Sequence, residues 1–212
     1  MADRGVGSTE PPGAAGADLG GVGVALTGVL LVGGVSRRFG SPKALATFEG
    51  ETLAERGWRL LGRACDERLA FGRLELPFPV YPDADDSAAP IAGVVAALRR
   101  ATNDVCVVLP VDCPHMTEQV VRQLGEACRD AAVSASGPLP GAWARSALPV
   151  LERRLAAGRL SLREAYPELD VVTVAVDERF LADADTPAEL ARLAAAGRPY
   201  LAPAADRPPP RN

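Results

Sequence analysis

With 212 residues, 23 basic side chains against 27 acidic ones and a net charge of −4, the chain is too acidic, and its arginines too scattered, for a nucleic-acid footprint. No apolar stretch reaches about 18 residues, and no charged segment followed by an apolar core opens the sequence, which argues against membrane insertion and secretion and for a cytoplasmic protein. Cys65, Cys106, Cys113 and Cys128 form no C-x-x-C pair and the single histidine, His115, leaves a zinc site short of ligands, so the thiols read as reduced and buried.

Residues 1–23 are rich in Gly, Ala and Pro without periodicity, and residues 197–212 are Pro-rich; both segments are expected to be disordered. Between them, residues 24–196 are expected to form one domain, large enough to bury about 70% of the surface its unfolded chain exposes.

In chain order, Ala25 to Val32 is a continuous apolar run ended by Gly33-Gly34, which predicts a buried parallel strand entering a tight turn. The glycines allow close backbone approach to a ligand, and successive N–H groups in such a turn form an anion-binding concavity, to which Ser36, Arg37, Arg38 and Lys43 add donors. Lys43 is the only lysine in the sequence. In a chain that otherwise uses arginine, a compact point charge on a flexible stem at this place points to a nucleotide phosphate. The spacing fits neither G-x-G-x-x-G nor G-x-x-x-x-G-K-[ST], because Gly34 to Gly40 is one residue too long and Lys43 does not follow Gly40 directly.

Leu53, Gly57, Leu60, Leu61 and Ala64 recur at helical spacing and predict an amphipathic helix over 52–64. Arg68 to Phe71 and Phe78 to Tyr81 are strand candidates separated by Gly72 and Pro77, and Ile91, Val94, Val95 and Leu98 mark a second helix. Val105 to Val111 is the strongest strand signal and ends in Asp112-Cys113-Pro114. His115, in the loop after it, reads as a surface or capping residue without a catalytic role. A third helix begins near Thr117; strands follow at 131–136 and 142–146, a helix at 148–157 and a strand at 171–176. Thr186-Pro187-Ala188-Glu189 predicts a capping box opening the final helix. Such βα alternation predicts a three-layer α/β domain, a mostly parallel twisted sheet with helices on both faces and ligands at the carboxyl edge of the strands. Asp112, Asp183 and Asp185 are placed to converge on that edge, where hard oxygen ligands beside phosphates imply Mg²⁺.

Four stretches then resemble the MobA-like nucleotidyltransferases, most closely the molybdenum cofactor guanylyltransferases. Leu31-Val32-Gly33-Gly34-Val35-Ser36-Arg37-Arg38-Phe39-Gly40-Ser41-Pro42-Lys43-Ala44-Leu45 is similar to the family's L-A-G-G-x-S-x-R-M-G-x-x-K-A-L. Asp83 followed by Ala89-Pro90-Ile91-Ala92-Gly93, then Asp112-Cys113-Pro114, then Asp183 to Leu190 resemble its later elements in order and spacing. The resemblance implies a Rossmann-like nucleotidyltransferase fold. It also implies transfer of a nucleoside monophosphate, with GTP the favoured donor, onto the phosphate of a molybdopterin-type acceptor, with release of pyrophosphate. By the same resemblance Leu31, Val32, Gly33, Gly34, Ser36, Arg38, Lys43, Asp83, Pro90 and Gly93 bind nucleotide, Arg38, Lys43 and Asp112 serve the chemistry, and Asp112 with Asp185 and Asp183 binds Mg²⁺. Departures bear on the base. Val32 stands for Ala, Ala89 for Gly, Phe71-Gly72-Arg73 lacks an Asn common in guanylyltransferases, and Asp183 and Asp185 resemble the cytidylyl branch's D-x-D-T-P, whereas Gly137 to Arg145 with Leu148 to Leu151 looks like the guanylyl branch. Cytidylyl transfer, a sugar- or alcohol-phosphate acceptor, and a non-catalytic nucleotide-binding protein stay open as alternatives.

Overall fold

The computed structural model describes residues 23–33, 39–87, 89–197 and 199. In chain order its elements are β1 (Leu26–Leu31), β2 (Thr47–Phe48), β3 (Glu51–Thr52), α1 (Leu53–Ala64), β4 (Glu67–Phe71), α2 (Pro90–Arg100), β5 (Val105–Pro110), α3 (Glu118–Glu126), β6 (Ala131–Ser134), β7 (Gly137–Ala144), α4 (Leu148–Ala156), β8 (Val171–Val174), α5 (Glu178–Leu181) and α6 (Pro187–Ala196). Gly34, Ser36 and Arg38 of the glycine loop lie outside the described residues, as do nearly all of the two end segments expected to be disordered.

Six strands pair in the order β4–β1–β5–β7–β6–β8. β1 runs parallel to β4 and β5, and β6 parallel to β8, while β7 is antiparallel to both of its neighbours. The mostly parallel sheet is as expected, but the βα alternation breaks here: β6 and β7 form a hairpin. Only Ala135 and Ser136 separate the two strands, and a parallel crossover needs a dozen or more residues. The strand expected over 142–146 accordingly starts earlier, at Gly137, and ends at Ala144, with Arg145 to Ala147 in a 3₁₀ turn.

Each central strand feeds two cores, which is why it reads as an unbroken apolar run. Leu26 and Leu30 of β1 and Val105, Val107 and Leu109 of β5 pack on one face with α1, α3 and Leu190 of α6. Val29 and Leu31 of β1 and Cys106 and Val108 of β5 pack on the other with α2 and α4 around Trp143. Glycines set the spacing on the first face. A Cβ at Gly57 would lie 2.6 Å from Leu30 Cδ1, and one at Gly28 would lie 2.9 Å from Leu61 Cβ, so α1 lies against β1 at a separation no larger residue permits. The helix starts at a reciprocal cap, Thr52 Oγ1 accepting from the Glu55 N–H and Glu55 Oε2 from the Thr52 N–H.

The second expected strand at 78–81 does not form. The segment runs extended beside β4, tied by Tyr81 N–H to Ala70 C=O (2.8 Å) and Gly72 N–H to Tyr81 C=O (2.9 Å), with only one bridge, Phe71 to Tyr81. Pro77, Pro79 and Pro82 have no N–H to continue a ladder. Phe78 instead turns inward and stacks on Trp58 of α1, ring centroids 4.3 Å apart, and Arg68 covers the other side of the indole.

Candidate active site

At the carboxyl edge, the pairing of β1 with β4 continues one residue past Leu31: the Val32 N–H donates to Phe71 C=O at 2.9 Å. Leu31 and Val32 turn their side chains into opposite cores, so only their backbone can face a ligand. Gly33, which follows, is exposed and lies back to back with Gly72. A Cβ at Gly72, whose φ is +145°, would lie 2.7 Å from Gly33 N. The glycine after β4 is therefore required by the turn after β1, a role that the sequence reading did not assign.

Asp83 and α2 close one side of this turn. Ala84 N–H donates to Ala92 C=O at 3.2 Å, which holds Asp83 at the amino end of the helix, and Pro90 fills its first position with the ring in solvent. Gly93 lies behind: a Cβ there would stand 2.6 Å from Leu31 Cδ2 and 3.2 Å from Asp83 Oδ1, while Asp83 Oδ2 is 3.6 Å from a Cβ built on Gly33. Asp83 is thus brought beside Gly33 and Gly93 as expected. Burial pushes its carboxyl above the usual 3.8, only partly offset by the Arg73 guanidinium and reinforced by Asp85. An acid whose pKa is raised by folding loses stability as pH climbs from its unfolded value through its folded one, so at neutral pH the ionised group costs stability. Asp83→Asn is expected to melt above wild type at pH 7, with the gap shrinking as pH falls towards 3.8, in thermal scans across pH.

The other side is built on β5. Val111 carries the chain out of the strand, and the Asp112 carbonyl accepts the Ala184 N–H at 3.1 Å. Ala184 is fully buried, so its neighbours Asp183 and Asp185 are turned out of the core on either side of it, towards Asp112. One oxygen from each of Asp112, Asp183 and Asp185 falls within 4.8 Å of the others, a set of hard donors suited to a divalent cation. The cap of α6 contributes here in an unexpected way. Thr186 Oγ1 accepts the Glu189 N–H as expected, but Glu189 Oε2 accepts from Asp185 N at 2.8 Å, one residue before the position a capping box would use. Glu189 thereby fixes the backbone of Asp185.

Lys43 opens a 3₁₀ turn (Lys43–Leu45) anchored by the buried Ala44. Its Nζ donates to Asp112 Oδ2 and to Asp185 Oδ1, 2.9 Å in each case. Burial alone would lower its pKa, but the hydrogen bonds to Asp185 and Asp112 outweigh that and hold it above 10.5, so the ammonium is charged at neutral pH. The structure therefore brings Gly33, Asp83 and Gly93 together on one flank and Lys43, Asp112, Asp183 and Asp185 on the other.

His115 is corrected from a surface or capping residue to a core one. It is 4% exposed, sits edge-on to Phe48 with centroids 5.6 Å apart, and its Nε2 lies 3.2 Å from Leu193 C=O of α6. All four cysteines are free thiols; Cys106 and Cys113 are buried, whereas Cys65 and Cys128 are only partly so. Burial pushes Cys65, Cys106 and Cys128 up to about 12, which leaves them inert at neutral pH.

The family model described as the MobA-like NTP transferase domain matches residues 28–171. The chain belongs to this family. MobA-like proteins are nucleotidyltransferases, and so is this one. It is 34% identical over 189 residues to a Deinococcus radiodurans protein named "Probable molybdenum cofactor guanylyltransferase", covering 83% of this chain and 97% of that one. It is 31% identical over 195 residues to the molybdenum cofactor guanylyltransferase of Burkholderia ambifaria, covering 80% and 95%. Among solved structures, molybdopterin-guanine dinucleotide biosynthesis protein A from Archaeoglobus fulgidus superposes with a TM-score of 0.69 at 25% identity, over 80% of this chain and 97% of that chain. A Thermus thermophilus 2-C-methyl-D-erythritol 4-phosphate cytidylyltransferase shares the fold at 17% identity, TM-score 0.62, over 79% and 96%. Among the described residues of this MobA-like chain, no helix is long and apolar enough to cross a membrane.

Proposed function

We propose that this MobA-like enzyme transfers GMP from GTP onto the phosphate of a molybdopterin-type acceptor in the cytoplasm, releasing pyrophosphate, with Mg²⁺ as its metal. The observation that carries the reading is the meeting of the sole lysine with the carboxylates of Asp112 and Asp185 at 2.9 Å, on the same strand edge as the glycine turn. The names of the relatives supply guanine and the molybdenum cofactor.

The acceptor phosphate is already anionic near neutral pH, so the protein needs no general base and acts through positioning and charge. An acceptor oxygen attacks the α-phosphorus as the bond from that phosphorus to the bridging oxygen breaks, and the electron pair leaves with pyrophosphate. The backbone at Leu31 to Gly33 would bind the triphosphate, Gly34, Ser36 and Arg38 are assigned to it from the sequence motif alone, and Lys43 stabilises the charge that grows on the departing pyrophosphate. Asp83 and Pro90 bound the nucleoside, and Gly93, behind them, leaves room for the Asp83 carboxylate. Asp112, with Asp185 and Asp183, would hold the Mg²⁺, which when bound would supply Lewis-acid charge withdrawal at the α-phosphate.

Thermal shifts with GTP, CTP, ATP and UTP in the presence of Mg²⁺ test the base. GTP at about 100 times its Kd stabilises by about 2.7 kcal/mol, and the other three at the same concentration by less. A larger shift with CTP would assign the enzyme to cytidylyl transfer instead.

A further inference from the structure

We infer that Lys43 is a built-in competitor of the metal: its ammonium and a divalent cation contend for Asp112 and Asp185, and the triphosphate resolves the contest by drawing the lysine away. The inference rests on the reading of these carboxylates as metal ligands. Three carboxylates whose oxygens approach within 4.8 Å of one another repel unless positive charge lies among them. Here Lys43 contributes such charge, donating to Asp112 Oδ2 and Asp185 Oδ1 at 2.9 Å each. A divalent cation held by the same carboxylates would add a second positive centre beside the ammonium, so the two repel and compete for Asp112 Oδ2 and Asp185 Oδ1. The design allows the ammonium to retreat. Lys43 has a flexible four-carbon stem, and its turn is held by buried Ala44 rather than by the ammonium, so the side chain can swing while the backbone stays. Phosphate oxygens at the neighbouring glycine turn are the alternative partner. Nucleotide then raises metal affinity by removing the competitor, and by reciprocity metal raises nucleotide affinity.

The probe is Mn²⁺, titrated into the full-length protein without nucleotide and read from the EPR signal of the free ion. Lys43→Met is expected to bind Mn²⁺ about tenfold more tightly than wild type, within the usual range of coupling between sites. Lys43→Arg, which keeps a cation in place, is expected to stay near the wild-type Kd. Adding a non-hydrolysable GTP analogue should tighten Mn²⁺ binding in wild type by a larger factor than in Lys43→Met. Mn²⁺ binding by Lys43→Met that equals wild type or is weaker overturns the inference. So does Mn²⁺ affinity in Lys43→Met that is unchanged by adding Asp112→Asn, since the ion would then use other ligands. The titrations without nucleotide do not depend on the base, so a failure there is distinguishable from a failure in the nucleotide thermal shifts.

Discussion

Lys43→Ala and Asp112→Ala should each lower the rate of pyrophosphate release by at least about a hundredfold, the loss found when one preorganised charge-stabilising group is removed from a water-excluded site. That is roughly 2.7 kcal/mol of transition-state stabilisation, each factor of ten being about 1.4 kcal/mol. Because the two side chains touch at 2.9 Å, the double variant should fall well short of the product of the single losses. Steady-state pyrophosphate release with GTP, Mg²⁺ and the phosphorylated acceptor measures all three. Near-normal turnover from both single variants would remove the assignment of the site. Lys43→Ala separates binding from chemistry in this scheme, because loss of the ammonium frees the carboxylates for metal while depriving the leaving group of its counter-charge.

Trp143→Ala is expected to be among the most damaging substitutions for stability. The indole is fully buried on β7, paired in register with Cys106 of β5 and Ala131 of β6, and fills the centre of the core under α2 and α4. Truncation of a buried aromatic of this size costs about 3–5 kcal/mol through lost transfer energy and the cavity left behind. In a chain of this length that lowers Tm by about 10 °C. Trp143→Phe should cost far less. The indole Nε1 has no hydrogen-bond partner among the described residues, and the phenyl ring removes that desolvated donor along with part of the volume. Calorimetric melting of the two variants, compared with wild type, separates the contribution of packing from that of the orphaned N–H.

The parts of the fold that were legible in the sequence are those where one residue pattern admits one environment. β1 and β5 are short, almost wholly apolar runs ended by Gly33-Gly34 and by Asp112-Cys113-Pro114, a length and ending that favour a strand covered on both sides. α1 was legible from its spacing, although its reciprocal Thr52–Glu55 cap was not singled out. β7 was misplaced because Gly137-Pro138-Leu139-Pro140-Gly141 reads as a break, and its direction depends on a hairpin that only pairing with β5 and β6 defines. The 78–81 segment misled for the opposite reason, since Phe78 packs on Trp58 of α1 and Tyr81 on Phe71 while the prolines deny it a ladder.

In the site, Lys43 stood out by its solitude and Asp112 by its position at a strand end; both meet where expected. Asp183 and Asp185 were legible through their place before a helix cap. The contributions of Gly72 and Glu189 were not, because each acts on a residue distant in sequence or displaced by one from the local rule: Gly72 on Gly33 and Glu189 on Asp185. The buried place of His115 was equally hidden, since its contacts are with Phe48 and Leu193, far from it in sequence.

The extended stretch beside β4 also bears on how the edge of the sheet is protected. An outermost strand normally offers a row of free amides on which another polypeptide can zip. Along this rim the neighbouring segment places Pro77, Pro79 and Pro82, which have no amide to offer, and the opposite rim, β8, is only four residues long. Neither flank of the sheet presents a long template, so the enzyme can keep a wide, apolar, doubly covered sheet at high concentration without inviting end-on growth into fibres.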